Sequence, residues 1–235
     1  MERISTGLPK LDKKLEGGYP EGKGILITGN TGSAKTILGL HFLHQACKNG
    51  KNCIFIATEE TPEDILLQSE SLGLNLRPFY EDGNLIIQRL FEERVYTAIS
   101  NVEWGTESSK TSTNIIQLKD TISGTHDVVV IDNIGVFTPN ISLDEFRSQF
   151  DALNHVLSKR HYTTVYIMDE SSNKRTEYIA AYSVYGVIRM SNKENPYTNK
   201  HERNLEIVKM RNTQIPEEPI KFKIIPKKGI DLLSD

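Results

Sequence analysis

The chain has 235 residues, with 28 Lys and Arg against 31 Asp and Glu, a formal charge of −3, and 37% hydrophobic residues. This excludes collagen-like, mucin-like and largely disordered chains, and a chain of this size buries roughly 70% of its unfolded surface without disulfide or metal staples. The near-balanced charge also excludes a global basic field toward nucleic acid or an anionic membrane, so any such binding has to be local. Cys47 and Cys53 form no metal or redox spacing, which fits reduced thiols in a cytoplasmic protein. The Met1 end is charged from its second residue, and no apolar run reaches the roughly 18 residues needed to span a bilayer. Neither secretion nor membrane insertion is expected.

Short β-branched runs alternate with amphipathic stretches, the pattern of an α/β fold with a mostly parallel sheet covered by helices. Ile25 to Thr28 reads as a strand, followed by a helix from about Lys35 to Asn49 that Gly50 stops. Cys53 to Ala57 is a second buried strand. Thr61-Pro62-Glu63-Asp64 then opens a helix with a hydroxyl cap, a proline at its first position and acids in its first turn. Leu85 to Ile87 reads as a third strand, and Glu92 to Thr113 as loop with some helix. Ile115, Leu118 and Ile122 recur at helical spacing before Asp127 to Asp132, an apolar strand expected at the centre of the sheet. Leu143, Phe146, Phe150, Leu153 and Leu157 form one helix face, and Thr163 to Met168 the next strand. The α/β alternation is expected to end there. Gly186 to Met190, Asn204 to Met210 and Ile220 to Ile225 read as three strands with short connections, finishing the sheet antiparallel at its C-terminal edge. With no repeat and no linker, residues 1–235 read as one domain.

Gly29-Asn30-Thr31-Gly32-Ser33-Ala34-Lys35-Thr36 nearly fits the phosphate-binding pattern G-x-x-x-x-G-K-[ST] between a strand and a helix. Such a turn aims successive backbone N–H groups at a helix N-terminus, where unpaired donors and the helix dipole favour an anion. Asn30 to Ile37 would hold the nucleotide, with Lys35 on the β- and γ-phosphates and Thr36 on Mg²⁺. Ala34 stands where the pattern has glycine; a position entering a helix is expected to need only negative φ, which alanine adopts freely. Nucleotide binding should survive the extra methyl, with slower hydrolysis. Asp132, ending its strand, is placed to hold Mg²⁺ through water, or simply to start a turn. Glu59 and Glu60 close the second strand beside the phosphate site, either to activate water or to favour the following helix N-terminus. Lys209 and Arg211, two apart on an expected strand, share a face. They suit an anion or a solvated edge.

These residues resemble the KaiC-like branch of the RecA superfamily of ATPases. The resemblance runs through Ile4-Ser5-Thr6-Gly7-Leu8-Pro9-Lys10-Leu11-Asp12, Gly17 to Gly22, the phosphate loop, Glu59-Glu60-Thr61-Pro62, Val128 to Asp132, Gly186-Val187-Ile188 and Lys209 to Asn212. It implies a RecA-like P-loop NTPase core that assembles as a ring, usually hexameric, with ATP between neighbouring subunits. It further implies Lys209 and Arg211 acting in trans on a neighbour's γ-phosphate, and Glu59 as the base with Glu60 beside it. The leading expectation is an ATP-binding, hydrolysing switch with an unidentified protein partner.

Two alternatives remain. One is a DNA-binding recombinase paralogue, in which Lys174, Arg175, Tyr178, Tyr182 and Tyr185 give weak single-strand stacking; packing into the fold is the expectation for these tyrosines. The other is an ATP-sensing scaffold with little hydrolysis, similar to accessory proteins of archaeal motility motors. Guanine specificity is disfavoured, because Asn173-Lys174-Arg175-Thr176 lacks the aspartate of a base-reading motif.

Overall fold

A computed structural model describes residues 1–90, 115–138, 141–170 and 174–233. The polar stretch read as loop with some helix, and Asn173, lie outside them. Among the described residues, nine strands form one sheet: β11 (Gly229–Leu232), β10 (Ile220–Ile225), β9 (Lys200–Met210), β8 (Gly186–Asn195), β3 (Gly24–Gly29), β7 (Thr163–Asp169), β6 (Val128–Asp132), β4 (Cys53–Ala57) and β5 (Leu85–Arg89), in that spatial order. From β8 to β5 all neighbours run parallel, whereas β9, β10 and β11 add antiparallel pairs. The antiparallel edge is therefore as expected.

Period-two alternation explains how one sheet serves two cores. Ile25, Ile27, Phe55, Val130 and Ile167 face one side, against α1 (Pro9–Lys14), α2 (Lys35–Lys48) and α3 (Pro62–Ser71). Leu26, Ile56, Val129, Ile131 and Tyr166 face the other, against α5 (Leu118–Thr121) and α6 (Leu143–Lys159). On α6 the residues at steps of three and four are the buried ones, and Phe150 packs edge-on against Tyr166 at 5.0 Å. Thr61 caps α3 in a reciprocal box with Asp64, so the helix starts where hydroxyl and proline place it.

Two expectations change. The strand Val128–Asp132 is interior, flanked by β7 and β4, but β3 occupies the middle of the sheet. The α/β alternation also continues past β7, through α7 (Lys174–Ser183) into β8, which pairs parallel with β3. α7 has only Thr176 and Ala180 buried, so it lacks the apolar stripe that announces a helix. Short elements also went unread: β1 (Arg3–Ile4) with β2 (Tyr19–Pro20), α1, α4 (Arg77–Glu81) and β11. The Ser5-Thr6 hydroxyls and the Thr6 N–H close on the Asp12 carboxylate at 2.5–2.7 Å, which fastens the N-terminal segment.

His41, buried on α2, accepts the Ile230 N–H at 2.9 Å and so ties the phosphate-loop helix to β11. Gly229 makes this approach feasible, since a Cβ there would lie 2.3 Å from the imidazole. Burial, reinforced by the charge of His44, lowers the His41 pKa from 6.5 to about 4. The unfolded chain takes up its proton first on acidification, so this contribution is complete above pH 6.5 and drains away toward pH 4. Urea unfolding should show roughly 2 kcal/mol less stability at pH 5 than at pH 7 from this group, and His41→Gln should remove that share of the pH dependence.

Candidate functional site

The phosphate loop leaves β3, whose six residues are all buried. A Cβ on Gly29 would fall 1.9 Å from the Met190 carbonyl, so β8 lies too close for any side chain. Asn30 then clamps the loop to β8: its Nδ2 donates to the Asn192 carbonyl at 2.8 Å, and its Oδ1 accepts the Asn192 N–H at 2.9 Å. Thr31 and Gly32 form the exposed rim, and buried Ser33 donates its N–H to Asn30 O at 3.2 Å. Ile37 is half-buried beneath the loop. Helices α3 and α6 carry hydroxyl caps from Thr61 and Ser142, but α2 starts without a side-chain cap. Its first N–H groups have no partner within the helix, which is where an anion would cap it.

Ala34 corrects an expectation. It has φ 74° and ψ 28°, a left-handed conformation rather than ordinary helix entry. The tight loop sets this angle through its two fixed ends, Asn30 on β8 and Lys35 in the helix. Only glycine adopts such a conformation without Cβ crowding its own backbone, and alanine pays about 1 kcal/mol there.

Lys35, Thr36, Glu59, Glu60, Asp132 and Asp169 line a cavity of about 330 Å³ beside the loop. Parallel pairing brings them together, because the C-terminal ends of β3, β4, β6 and β7 open on one edge of the sheet. Thr36 donates its hydroxyl to Asp132 Oδ2 at 2.6 Å. Burial pushes the Asp132 carboxyl up to about 6, only partly offset by that hydrogen bond; the nearby Glu60 charge pushes the same way. A paired hydroxyl and carboxylate are hard oxygen donors of the kind Mg²⁺ takes, so the pair fits that ion. Of the two glutamates, Glu60 is half-buried and its carboxyl is raised by burial and by Asp64 and Glu59, whereas Glu59 is exposed at the cavity. Asp169, which strand-end reasoning passed over, pairs with Lys35 at 2.6 Å. A strand-terminal aspartate next to the first loop strand was its available signal.

Lys209 and Arg211 are not brought to this chain's own loop. Lys209 sits opposite Val187, level with the start of β3, whereas the loop leaves the other end. Its ammonium donates to the carbonyls of Ala181 at 2.5 Å and Val184 at 2.8 Å, closing the C-terminus of α7. Burial, then the Arg211 charge, lowers its pKa. Arg211 is one residue past the strand end, exposed, and reaches the Tyr182 carbonyl at 3.4 Å. Tyr178 and Tyr182 do not pack into the fold as expected: they are 74% and 72% exposed, with Arg147 over the Tyr182 ring, while Tyr185 is partly buried.

A mostly parallel sheet whose middle strand runs into a phosphate-loop sequence, with the Thr36 hydroxyl paired to the Asp132 carboxylate beside it, has a RecA-like P-loop fold. A family profile described as "ATPase: KaiC" matches residues 4–235, and the chain belongs to the KaiC family of ATPases. It is 45% identical to the circadian clock protein KaiC2 of Synechocystis over 86 residues, 36% of this chain and 15% of KaiC2. A UPF0273 protein of Saccharolobus solfataricus is 27% identical over 224 residues, covering 92% of this chain and 77% of that protein. The chain spans less than half of the clock proteins it matches, 46% in KaiC3 of Synechocystis. A KaiC-like protein from Pyrococcus horikoshii shares the fold over 99% of both chains, with a TM-score of 0.75 at 23% identity. Among the described residues no helix is long and apolar enough to cross a membrane.

Relief of the left-handed alanine is measurable. Ala34→Gly should raise the unfolding free energy of the nucleotide-free protein by about 1 kcal/mol in urea titrations, where ordinary helix entry would instead give a loss of similar size.

Proposed function

We propose that the chain is an ATP-hydrolysing switch whose catalytic site is shared between copies in a ring, hexameric as the resemblance implies. The observation that carries this reading is the 2.6 Å pairing of Thr36 with Asp132 beside a loop whose lysine lines the same cavity. Lys35 and the N–H groups opening α2 bind the β- and γ-phosphates, while Thr36 and Asp132 hold Mg²⁺. The ion neutralises charge between those phosphates when bound. Glu59, on the solvent side, takes the proton of the attacking water, and Glu60, beside Asp132, orders the water around it. The Ala34 methyl slows turnover by crowding the loop.

Lys209 and Arg211 are remote from their own loop yet anchored on α7, which supports their service to a neighbour's γ-phosphate. A single RecA-type unit of this kind is incomplete as an enzyme until a second copy docks. Nucleotide occupancy then governs assembly, and through it the affinity for a protein partner.

The test is complementation by mixing. Lys35→Ala and Arg211→Ala should each be nearly inactive in ATP hydrolysis, yet an equal mixture should recover roughly a quarter of the wild-type rate, because random assembly pairs an intact loop with an intact arginine that often. No recovery on mixing, with both variants folded, contradicts the shared site. Glu59→Gln should slow single-turnover phosphate release by about 10² or more, whereas equal, negligible rates in wild type and variant would indicate a scaffold that only senses ATP.

The exposure of Tyr178 and Tyr182, one turn apart on α7, favours a second reading in which they stack bases of single-stranded nucleic acid. A salt-dependent shift of labelled single-stranded DNA, lost in Tyr178→Ala with Tyr182→Ala, supports it. No shift at low salt removes it.

A further inference from the structure

Lys35 is fully engaged before any nucleotide arrives. Its ammonium has three protons and three acceptors: the carbonyls of Gly29 at 2.9 Å and Asn30 at 3.0 Å, and Asp169 Oδ1 at 2.6 Å. The lysine side chain is 8% exposed and the aspartate 30%, so the pair is shielded from water on one side. Asp169 is itself held. Its other oxygen accepts from Asn133 Nδ2 at 2.7 Å, and buried Asn133 is pinned by the Gly135 N–H on its Oδ1 and by its own N–H on Thr58 Oγ1. Register places Asp169 directly beside Gly29, at the mouth of the loop.

A phosphoryl oxygen can reach Lys35 only by displacing one of these three partners. The two carbonyls belong to the turn that shapes the loop, so the separable contact is the carboxylate. We infer that Asp169 is an internal stand-in for the terminal phosphate, a positioning residue that retains Lys35 in the nucleotide-free loop and opposes ATP until displaced. This deepens the nucleotide reading of the loop and rests on it.

The electrostatics make the effect unequal between nucleotides. Once Lys35 moves to phosphate, the Asp169 carboxylate loses its cation and faces added negative charge in the same cavity. ATP brings the γ-phosphate into that field; ADP does not. Asp169 therefore opposes ATP more than ADP. The displacement also reaches beyond the loop, because Asp169, the partner that Lys35 gives up, is the last residue of β7. Phosphate arrival thus changes the bonding at the end of β7.

Calorimetric titration of Mg·ATP and of Mg·ADP into the full chain tests this, using wild type, Asp169→Asn, Asp169→Glu and Lys35→Ala. Asp169→Asn keeps shape and the Asn133 neighbour but removes the charge. It should bind ATP about tenfold more tightly than wild type and ADP with a smaller gain, while Asp169→Glu stays near wild type. A purely structural role for Asp169 would not move the ATP-to-ADP ratio. If wild type binds ATP in a Lys35-dependent way and Asp169→Asn binds it equally or more weakly, the inference is overturned and the nucleotide site stands. If neither wild type nor Asp169→Asn binds ATP, both are overturned.

Discussion

A cation buried at the end of the middle strand has to be surrounded by acceptors, and Lys35 sets that requirement for the whole edge of the sheet. Two loop carbonyls and one carboxylate satisfy it, and each comes from a strand end that parallel pairing places there. β3 supplies the loop and β7, its parallel neighbour, supplies Asp169. β6, one strand further, supplies Asp132 for Thr36, and β4 leads into Glu59 and Glu60. The two cores on opposite faces of the sheet hold these ends in register, so the distances in the site follow from apolar burial far from it.

The antiparallel extension has the opposite geometric effect. By turning back after β8, the chain carries Lys209 and Arg211 to the end of the sheet away from its own phosphate loop. There they close the C-terminus of α7, an interaction that favours cations at helix carbonyls and fixes both side chains near the surface. A parallel core with an antiparallel edge thus separates the loop from the proposed finger within one copy. Sharing a site between copies is the arrangement in which such a separation becomes useful.

Much of this was legible in the sequence, because fully buried parallel strands are continuous apolar runs and the phosphate loop is a spacing of residue types with one physical meaning. Val128 to Asp132 and the α6 face read directly. Ala34 did not, since its φ is imposed by the closure of the loop onto Asn192 and not by any local preference of alanine. Asp169 follows its apolar run as many turn aspartates do, and only the folded chain shows it against Lys35. α7 was invisible to periodicity because most of its surface is exposed, tyrosines included. For Ala34 and Asp169 the missing information is long-range contact.

The central claim is that one lysine exchanges an internal carboxylate for phosphate. A crystal structure of the protein with Mg²⁺ and a non-hydrolysable ATP analogue tests it most directly. The account predicts Lys35 Nζ within about 3 Å of β- and γ-phosphate oxygens and out of contact with Asp169, which keeps its bond from Asn133. A nucleotide bound in the loop with Lys35 still paired to Asp169 would contradict it.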